Sequence, residues 1–283
     1  MADTKISDLA AVTDLIGTDE YVLARSGATK KIDASDLASE ILALGSGSSS
    51  SDGWAAAGET WTYASADSPT FTFTVAADVT TKYAVGQRIK LTQSTEKFFI
   101  VTKVSTFSGG NTTITVYGGT DYTLANATIT NPYWSMVKAP FGFPLNPDKW
   151  TVTLSDSTRR SVTTPSNGTW YNAGSLSISI PIGVWDLTYW AIAYSARATA
   201  TTMITEVTLS TANNSESDTD MTNYSYANSL AELSVWGGRR KTYALTSKTS
   251  YYVNILGAAA SLTALALLND LAPLRVRAIS AYL

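Results

Sequence analysis

The stretch VWDLTYWAIAY, residues 184–194, reads as a β-strand with no wet side. Trp185, Leu187 and Tyr189 occupy its odd positions, and Val184, Trp190, Ile192 and Tyr194 its even ones. A strand half-covered by a single core would alternate apolar with polar side chains. Apolar residues at both parities place this one at the centre of a sheet covered twice. One β-sandwich has one inner face to fill, so the two sets cannot all be inside together. Part of the surplus is expected to meet neighbouring subunits.

The same two-residue period continues to either side. WTVTL (150–154) is a strand, and SLSISIPI (175–182) sets Leu176, Ile178, Ile180 and Ile182 against Ser and Pro. TMITEVTL, KTYAL, YYVNIL and LRVRAISAYL bring the candidates after residue 150 to at least seven. SLTALALL (261–268) has helix propensity but lies between strands, and is expected to be a doubly buried strand. The count and length fit an antiparallel, jelly-roll-like sandwich over residues 144–283. Its longest polar insertion, STANNSESDTDMTNYSYAN (210–228), is expected to be an ordered loop because it ends in Tyr224 and Tyr226.

Upstream, PTFTFTV (69–75) turns Phe71, Phe73 and Val75 one way and its threonines the other. QRIKLTQ, EKFFIVTKV and NTTITVY follow, separated by Ser94-Thr95 and Gly109-Gly110. This spacing predicts a small antiparallel β-barrel over residues 54–143, with Arg88 and Lys90 on its solvated face. PYWSMVKAPFGFPLNPDKW (132–150) holds four prolines, cannot be regular throughout, and is expected to be a packed connector between modules.

Composition narrows the chemistry. Among 283 residues, 45% are hydrophobic and only 15% charged, with 15 Tyr and 8 Trp. Ser, Thr and Asn carry the polar balance, as in an all-β chain with hydroxyl-rich surfaces. The net charge of −3 carries no footprint for nucleic acid. With neither His nor Cys, zinc and iron–sulfur sites, Ser–His or Cys–His catalysis and disulfides drop out, and no metal or cofactor is expected. No cationic start followed by an apolar run suggests a secretory signal. The most apolar stretch, Leu256 to Leu268, is shorter than the roughly 20 residues a bilayer requires, so no membrane insertion is expected.

Residues 45–53, GSGSSSSDG, form a flexible linker without an apolar side chain. Before it, Ile6, Leu9, Val12 and Leu15 recur at threes, and Gly17-Thr18-Asp19 marks a turn. YVLA (21–24) reads as a strand carrying Tyr21 and Leu23, Ser26-Gly27 as a hairpin turn into TKKID, and Ala34 to Leu44 as a short closing helix. This short α/β segment has about a dozen apolar side chains, too few for independent stability. Its apolar face is therefore expected to complete a core on other chains.

ISDLAAVTDLIGTDEYVLARSGATKKIDASDL (6–37) resembles the N-terminal segment of tailed-bacteriophage tail fibre and minor structural proteins. There an I-S-(D/E)-L start leads to a G-T-D turn, a strand, a hairpin, a T-K-K strand and a closing helix. The C-terminal part is similar, more loosely, to the β-sandwich of phage receptor-binding proteins, through YYVNIL and the final LRVRAISAYL. The resemblance implies a homotrimeric virion protein whose residues 1–44 attach to other virion proteins and whose sandwich faces the host. Without a coiled coil or β-helix repeat it would be a short fibre.

Recognition of a host surface glycan or protein needs exposed aromatic faces with polar groups beside them. Candidates are Tyr224 and Tyr226, Trp236 with Arg239 and Arg240 in VWGGRR, and Trp170 with Tyr171 in SNGTWYN. The plainer alternatives are core packing for each ring and a solvated hairpin end for the two arginines. A glycan-degrading tailspike would need two carboxylates at fixed separation. Glu216, Asp218 and Asp220 lie close in sequence, and Asp186 and Glu206 are expected on adjacent strands. Lacking a long β-helix, the chain reads as non-enzymatic. A head fibre or capsid decoration protein would carry the same features on a different part of the particle.

Overall fold

The computed structural model describes residues 20–25, 28–35, 52–269 and 272–283, which fall into two units, Met1–Ala55 and Ala56–Leu283. In the first, β1 (Glu20–Arg25) and β2 (Ala28–Asp33) form the expected antiparallel hairpin, with Tyr21 opposite Ile32 and Leu23 opposite Lys30. Ile6, Leu9, Val12 and Leu15, most of the closing helix and most of the linker lie outside the described residues.

Described elements of the second unit are β-strands and two 3₁₀ turns, Pro147–Trp150 and Thr219–Met221. No described helix is long and apolar enough to cross a membrane. The leading part of the unit is a seven-stranded sheet made from β3 (Ala55–Ala56), β4 (Trp61–Asp67), β5 (Thr70–Val75), β6 (Arg88–Gln93), β7 (Thr95–Val104), β8 (Thr112–Tyr117) and β9 (Thr130–Ser135), in the order β3-β9-β6-β7-β8-β5-β4. The expected barrel is not closed: among the described residues, end strands β3 and β4 do not pair with each other. The sheet wraps one core instead. Phe71, Phe73, Ile89, Leu91, Phe99, Val101, Ile114 and Val116 are buried together, and Trp61 stacks on Phe73 with centroids 4.4 Å apart.

Strand β7 departs from simple alternation. Phe98 to Thr102 are buried at consecutive positions because both sides of the strand are covered. The core covers Phe99 and Val101. On the other side lie the connector, with Phe98 edge-on to Phe143 at 6.0 Å, and Gly183, which sits close to the Thr102 side chain.

Arg88 corrects the sequence expectation most sharply. It is 1% exposed, not solvated. Its guanidinium donates to the carbonyls of Gly86 (2.8 Å), Lys138 (3.1 Å) and Tyr282 (2.7 Å) and lies 4.8 Å from the Phe143 ring centroid. Burial pushes its pKa down to about 10, which still leaves it charged at neutral pH. Aromatic rings close the same junction: Tyr117 meets Trp185 edge-on at 5.0 Å, and Phe143 stacks on Trp150 at 5.0 Å. Each tryptophan N–H finds a carbonyl, Trp150 on Pro144 and Trp185 on Pro181. The connector is packed, as its prolines and tryptophans suggest, and it joins the two β modules.

The remaining strands are β10 (Thr151–Asp156), β11 (Arg160–Ser161), β12 (Thr169–Tyr171), β13 (Ser177–Ile180), β14 (Gly183–Ser210), β15 (Thr222–Leu245), β16 (Thr249–Ala259), β17 (Leu262–Leu268) and β18 (Leu274–Ser280). They form one nine-stranded sheet organised by β14. Of the 24 residues of β15, 21 pair along one side of β14, interrupted only near the corner. On its other side, β14 pairs with β18 over 185–190, with β17 over 192–197 and with β16 over 203–210. The ladder shifts register between Ala196 and Met203, and the exposed residues 198–202 make a corner.

The two halves of β14 then face each other. Tyr189 donates to the Val207 carbonyl (3.1 Å), and Ser195 contacts both Met203 Sδ (3.2 Å) and Thr205. Buried Arg197 ties the corner, donating to the carbonyls of Leu230 (2.5 Å) and Thr202 and to the Thr201 hydroxyl (2.9 Å). One doubled hairpin thus supplies two layers around a shared interior. Gly237 permits their approach, since a Cβ there would sit 2.3 Å from Val207 Cγ1. SLTALALL is the expected strand, β17, although only Leu265 to Leu267 are fully buried.

Arg88→Ala removes the donor from three part-buried carbonyls, where a group left unpaired and out of water costs about 1–3 kcal/mol, and it empties a buried site against Phe143. We expect a loss near ~3 kcal/mol in urea unfolding, while exposed Lys103→Ala on β7 changes stability by under about 0.5 kcal/mol.

Candidate functional site

Inward-facing side chains of β14 are odd-numbered in both halves: Trp185, Leu187, Tyr189, Met203, Thr205, Val207 and Leu209 are all buried. Even-numbered positions point the other way; Ile192, Thr208 and Ser210 among them are covered and buried, whereas Trp190 reaches the surface at 43% exposure. Beside it on β15 is Trp236, 53% exposed, with centroids 6.1 Å apart and planes at 72°. Gly238, directly opposite Trp190, leaves the space that ring occupies; a Cβ there would be 2.9 Å from Trp190 Cε3.

Charge flanks the two rings. Arg240 grips Asp186 bidentately, Nε to Oδ1 at 2.7 Å and Nη2 to Oδ2, four residues along each strand from the tryptophans. On the other side of β14, exposed Arg275 of β18 stands directly opposite Trp190, and Arg277 opposite Thr188. Arg277 donates to Asp148 at 2.5 Å. Arg275 forms no ion pair among the described residues. Further along the same outer face, Arg159 lies 5.7 Å from the Tyr194 ring centroid.

The expected candidates therefore separate. Trp236 and Arg240 belong to this face, but VWGGRR is the middle of β15 and not a hairpin end. Arg239, at the opposite parity, donates to the Thr222 carbonyl at 3.2 Å. Tyr224 and Tyr226 are in strand β15, not a loop, on the outer side of the other layer and 68% and 56% exposed. Trp170 and Tyr171 form β12, paired with Leu256 and Ile255, both half-buried; the Tyr171 hydroxyl accepts the Ser166 N–H at 2.9 Å. Trp190, one of the surplus side chains of which part was expected at subunit contacts, lies against Trp236, a receptor-binding candidate. Trp190 and Arg275 are additional to the candidates read from sequence. The signal for both was the two-residue period of their strands, which places Trp190 opposite in parity to the buried Trp185, Leu187 and Tyr189, and Arg275 opposite in parity to the buried Leu274 and Val276.

The true loop is short, 211–221, and ordered. Buried Asn254 donates to the carbonyls of Ala212 (2.8 Å) and Ser215 (2.7 Å) and accepts the Asn214 N–H. Asp218 is less solvated than in the unfolded chain, which alone would raise its pKa. Hydrogen bonds from Lys241 (2.7 Å), Tyr243 (2.6 Å) and the Asp220 N–H (3.1 Å) outweigh this and hold it below the usual carboxylate range. Glu206 is pushed upward, first by burial and then by the charge of Glu216. Asp186 and Glu206 are not on adjacent strands; both lie on β14, in different layers. Among the described residues no cluster of acidic side chains is disposed to hold a metal ion.

No protein family's sequence profile matches the chain, and no characterised protein sequence does. Structural similarity is faint. Dimeric latent PorU from Porphyromonas gingivalis aligns over 79% of this chain and 24% of its own at 10% identity and a TM-score of 0.27. Infectious bursal disease virus structures also align: the T13 particle (11% identity, TM-score 0.25, 92% of this chain and 66% of that one) and the Gx strain (9%, 0.26, 81% and 62%). The chain spans about a quarter of PorU and under two thirds of the Gx chain. All-β architecture is the extent of the likeness.

A carboxyl held below its unfolded pKa stabilises the fold above the carboxylate range and loses that contribution as pH falls through it. Lys241→Met is therefore expected to lower the melting temperature at pH 7, with the gap from the natural chain narrowing below about pH 4. A gap independent of pH contradicts this account of Asp218.

Proposed function

We propose that the chain is a non-enzymatic structural protein of a virus particle: a homotrimeric short tail fibre of a tailed bacteriophage. Residues 1–44 attach it to other virion proteins, and the C-terminal module, a jelly-roll-like sandwich, meets the host cell surface. The observation that carries host binding is the Trp190–Trp236 pair. The module buries Trp150 and Trp185 completely, yet leaves these two rings half in water beside charged and hydroxylated neighbours. Such a platform suits stacking on sugar rings with polar groups to orient them. The N-terminal segment supports attachment through its resemblance to phage fibres and its shortage of apolar side chains. The carboxylates of a tailspike reading are largely engaged, Asp186 by Arg240, and Asp218 and Asp220 by Lys241.

Three-fold assembly is supported by a different surface from the one the sequence suggested. Met136, Val137, Phe141 and Leu145 of the connector are exposed, and Met136 joins Val85 and Tyr282 around a cavity of about 350 Å³. Met and Phe with few charges are the composition of an interface centre. A head fibre or decoration protein would use the same surfaces elsewhere on the particle, and immunogold labelling of intact particles separates the two: label on the capsid overturns the tail assignment.

Purified chain is expected to block phage adsorption, and Trp236→Ala to weaken that block about tenfold, as for a central aromatic contact. An unchanged block overturns the assignment of this face. Light scattering is expected to give three chain masses, both for the full chain and for a version starting at Trp54, which should fail to join particles. A monomeric full chain overturns the trimer, and normal incorporation of the shortened chain overturns the anchor.

A further inference from the structure

Trp190 stands between two different neighbours on its sheet face, Gly238 on β15 and Arg275 on β18. The first leaves its ring flat and accessible; the second sets a guanidinium directly across the strand. Every other described charge on this part of the face is committed: Arg240 to Asp186, and Arg277 to Asp148. Arg275 is exposed and lacks an ion-pair partner among the described residues, which leaves one uncompensated positive charge beside two exposed rings. Thr153 and Ser155 of β10, paired with Arg277 and Arg275 and both exposed, add hydroxyls at the same level.

We propose that this face binds an acidic saccharide, its ring on Trp190 and Trp236 and its carboxylate on Arg275. This rests on the host-binding reading above and specifies the ligand. A second copy of the chain fits less well. Charges lie within one strand of the tryptophans, whereas the centre of a protein–protein interface is depleted of them. A carboxylate matches the free guanidinium fork, which can hold it through two parallel hydrogen bonds. The platform is open at its sides, so a polymer can run across it.

The test is calorimetric titration of the full-length protein with tetramers of galacturonate, glucuronate and sialate, each against its neutral methyl ester. At least one acid is expected to bind about tenfold more tightly than its ester, the worth of one charge-assisted contact. Arg275→Gln should abolish that preference, bringing the acid down to about the affinity of its ester with both still bound, a result that misfolding would not produce. Trp190→Ala should weaken acid and ester alike. Equal affinity for acid and ester, a preference that survives Arg275→Gln, or no binding of any acid overturns the proposal. So does a drop in assembly mass on Trp190→Ala, which would make the face a subunit contact. Should adsorption still be blocked by the protein in any of these cases, host binding stands and only the ligand class fails.

Discussion

The C-terminal module depends on a single strand being central in two layers at once. Because β15 flanks one side of both halves of β14, the strands on the opposite side take successive segments, β18, then β17, then β16, and β10, β11, β12 and β13 pair in turn with these. A 28-residue strand would be far longer than a sandwich of this size can hold straight. It must turn back, and it does so where the sequence is poorest in bulk, at Ala198-Thr199-Ala200-Thr201-Thr202. Arg197 converts the corner from a weakness to a joint by bonding backbone carbonyls from both strands of the hairpin. The parity that faces inward is preserved through the bend, so the outward set is determined as well. Trp190 belongs to that outward set, and unlike Ile192 beside it the ring is left exposed.

The other end of β14 is held just as firmly. Gly183 and Trp185, at its start, lie against Thr102 and Tyr117 of the leading sheet, and the C-terminal Tyr282 offers its carbonyl to Arg88. A buried cation with three carbonyl partners has strict geometry, because each partner lost would leave a desolvated group. The aromatic rings around it supply the contact area, and the guanidinium supplies the register. The Trp190 face is therefore oriented relative to the leading sheet by the same residues that join the modules.

Much of this was legible in advance, and the failures share a cause. The two-residue period located nearly every strand, including SLTALALL against its helix propensity. Alternation reveals two faces but not what covers each. Arg88 was assigned to water because Ile89 and Leu91 claimed the core; the connector covering its side comes from residues 50 positions away. Barrel closure depends on whether the end strands meet, which no local pattern encodes. Tyr224 and Tyr226 read as loop residues because an edge strand, wet on one face and along one side, has nearly the composition of a loop. Gly237-Gly238 resembled a turn, whereas each glycine answers a close approach: one from the facing layer, one from Trp190.

The aromatic residues fall into two environments, buried at the junction and exposed on the sheet face. Rings at the junction are buried, with their N–H groups on carbonyls, and they hold the modules together. Apolar side chains of the connector reach the surface with few charges near them, a composition suited to like surfaces. The Trp190–Trp236 pair is exposed among arginines, a carboxylate and hydroxyls, which a second protein surface would have to desolvate at a cost of several kcal/mol per unpaired ion. A hydrated sugar chain brings its own hydroxyls to replace that water and leaves the rim charges wet. Charge, more than hydrophobicity, separates the two exposed surfaces. That difference supports the proposal that assembly uses the connector and recognition uses the outer face of the doubled hairpin.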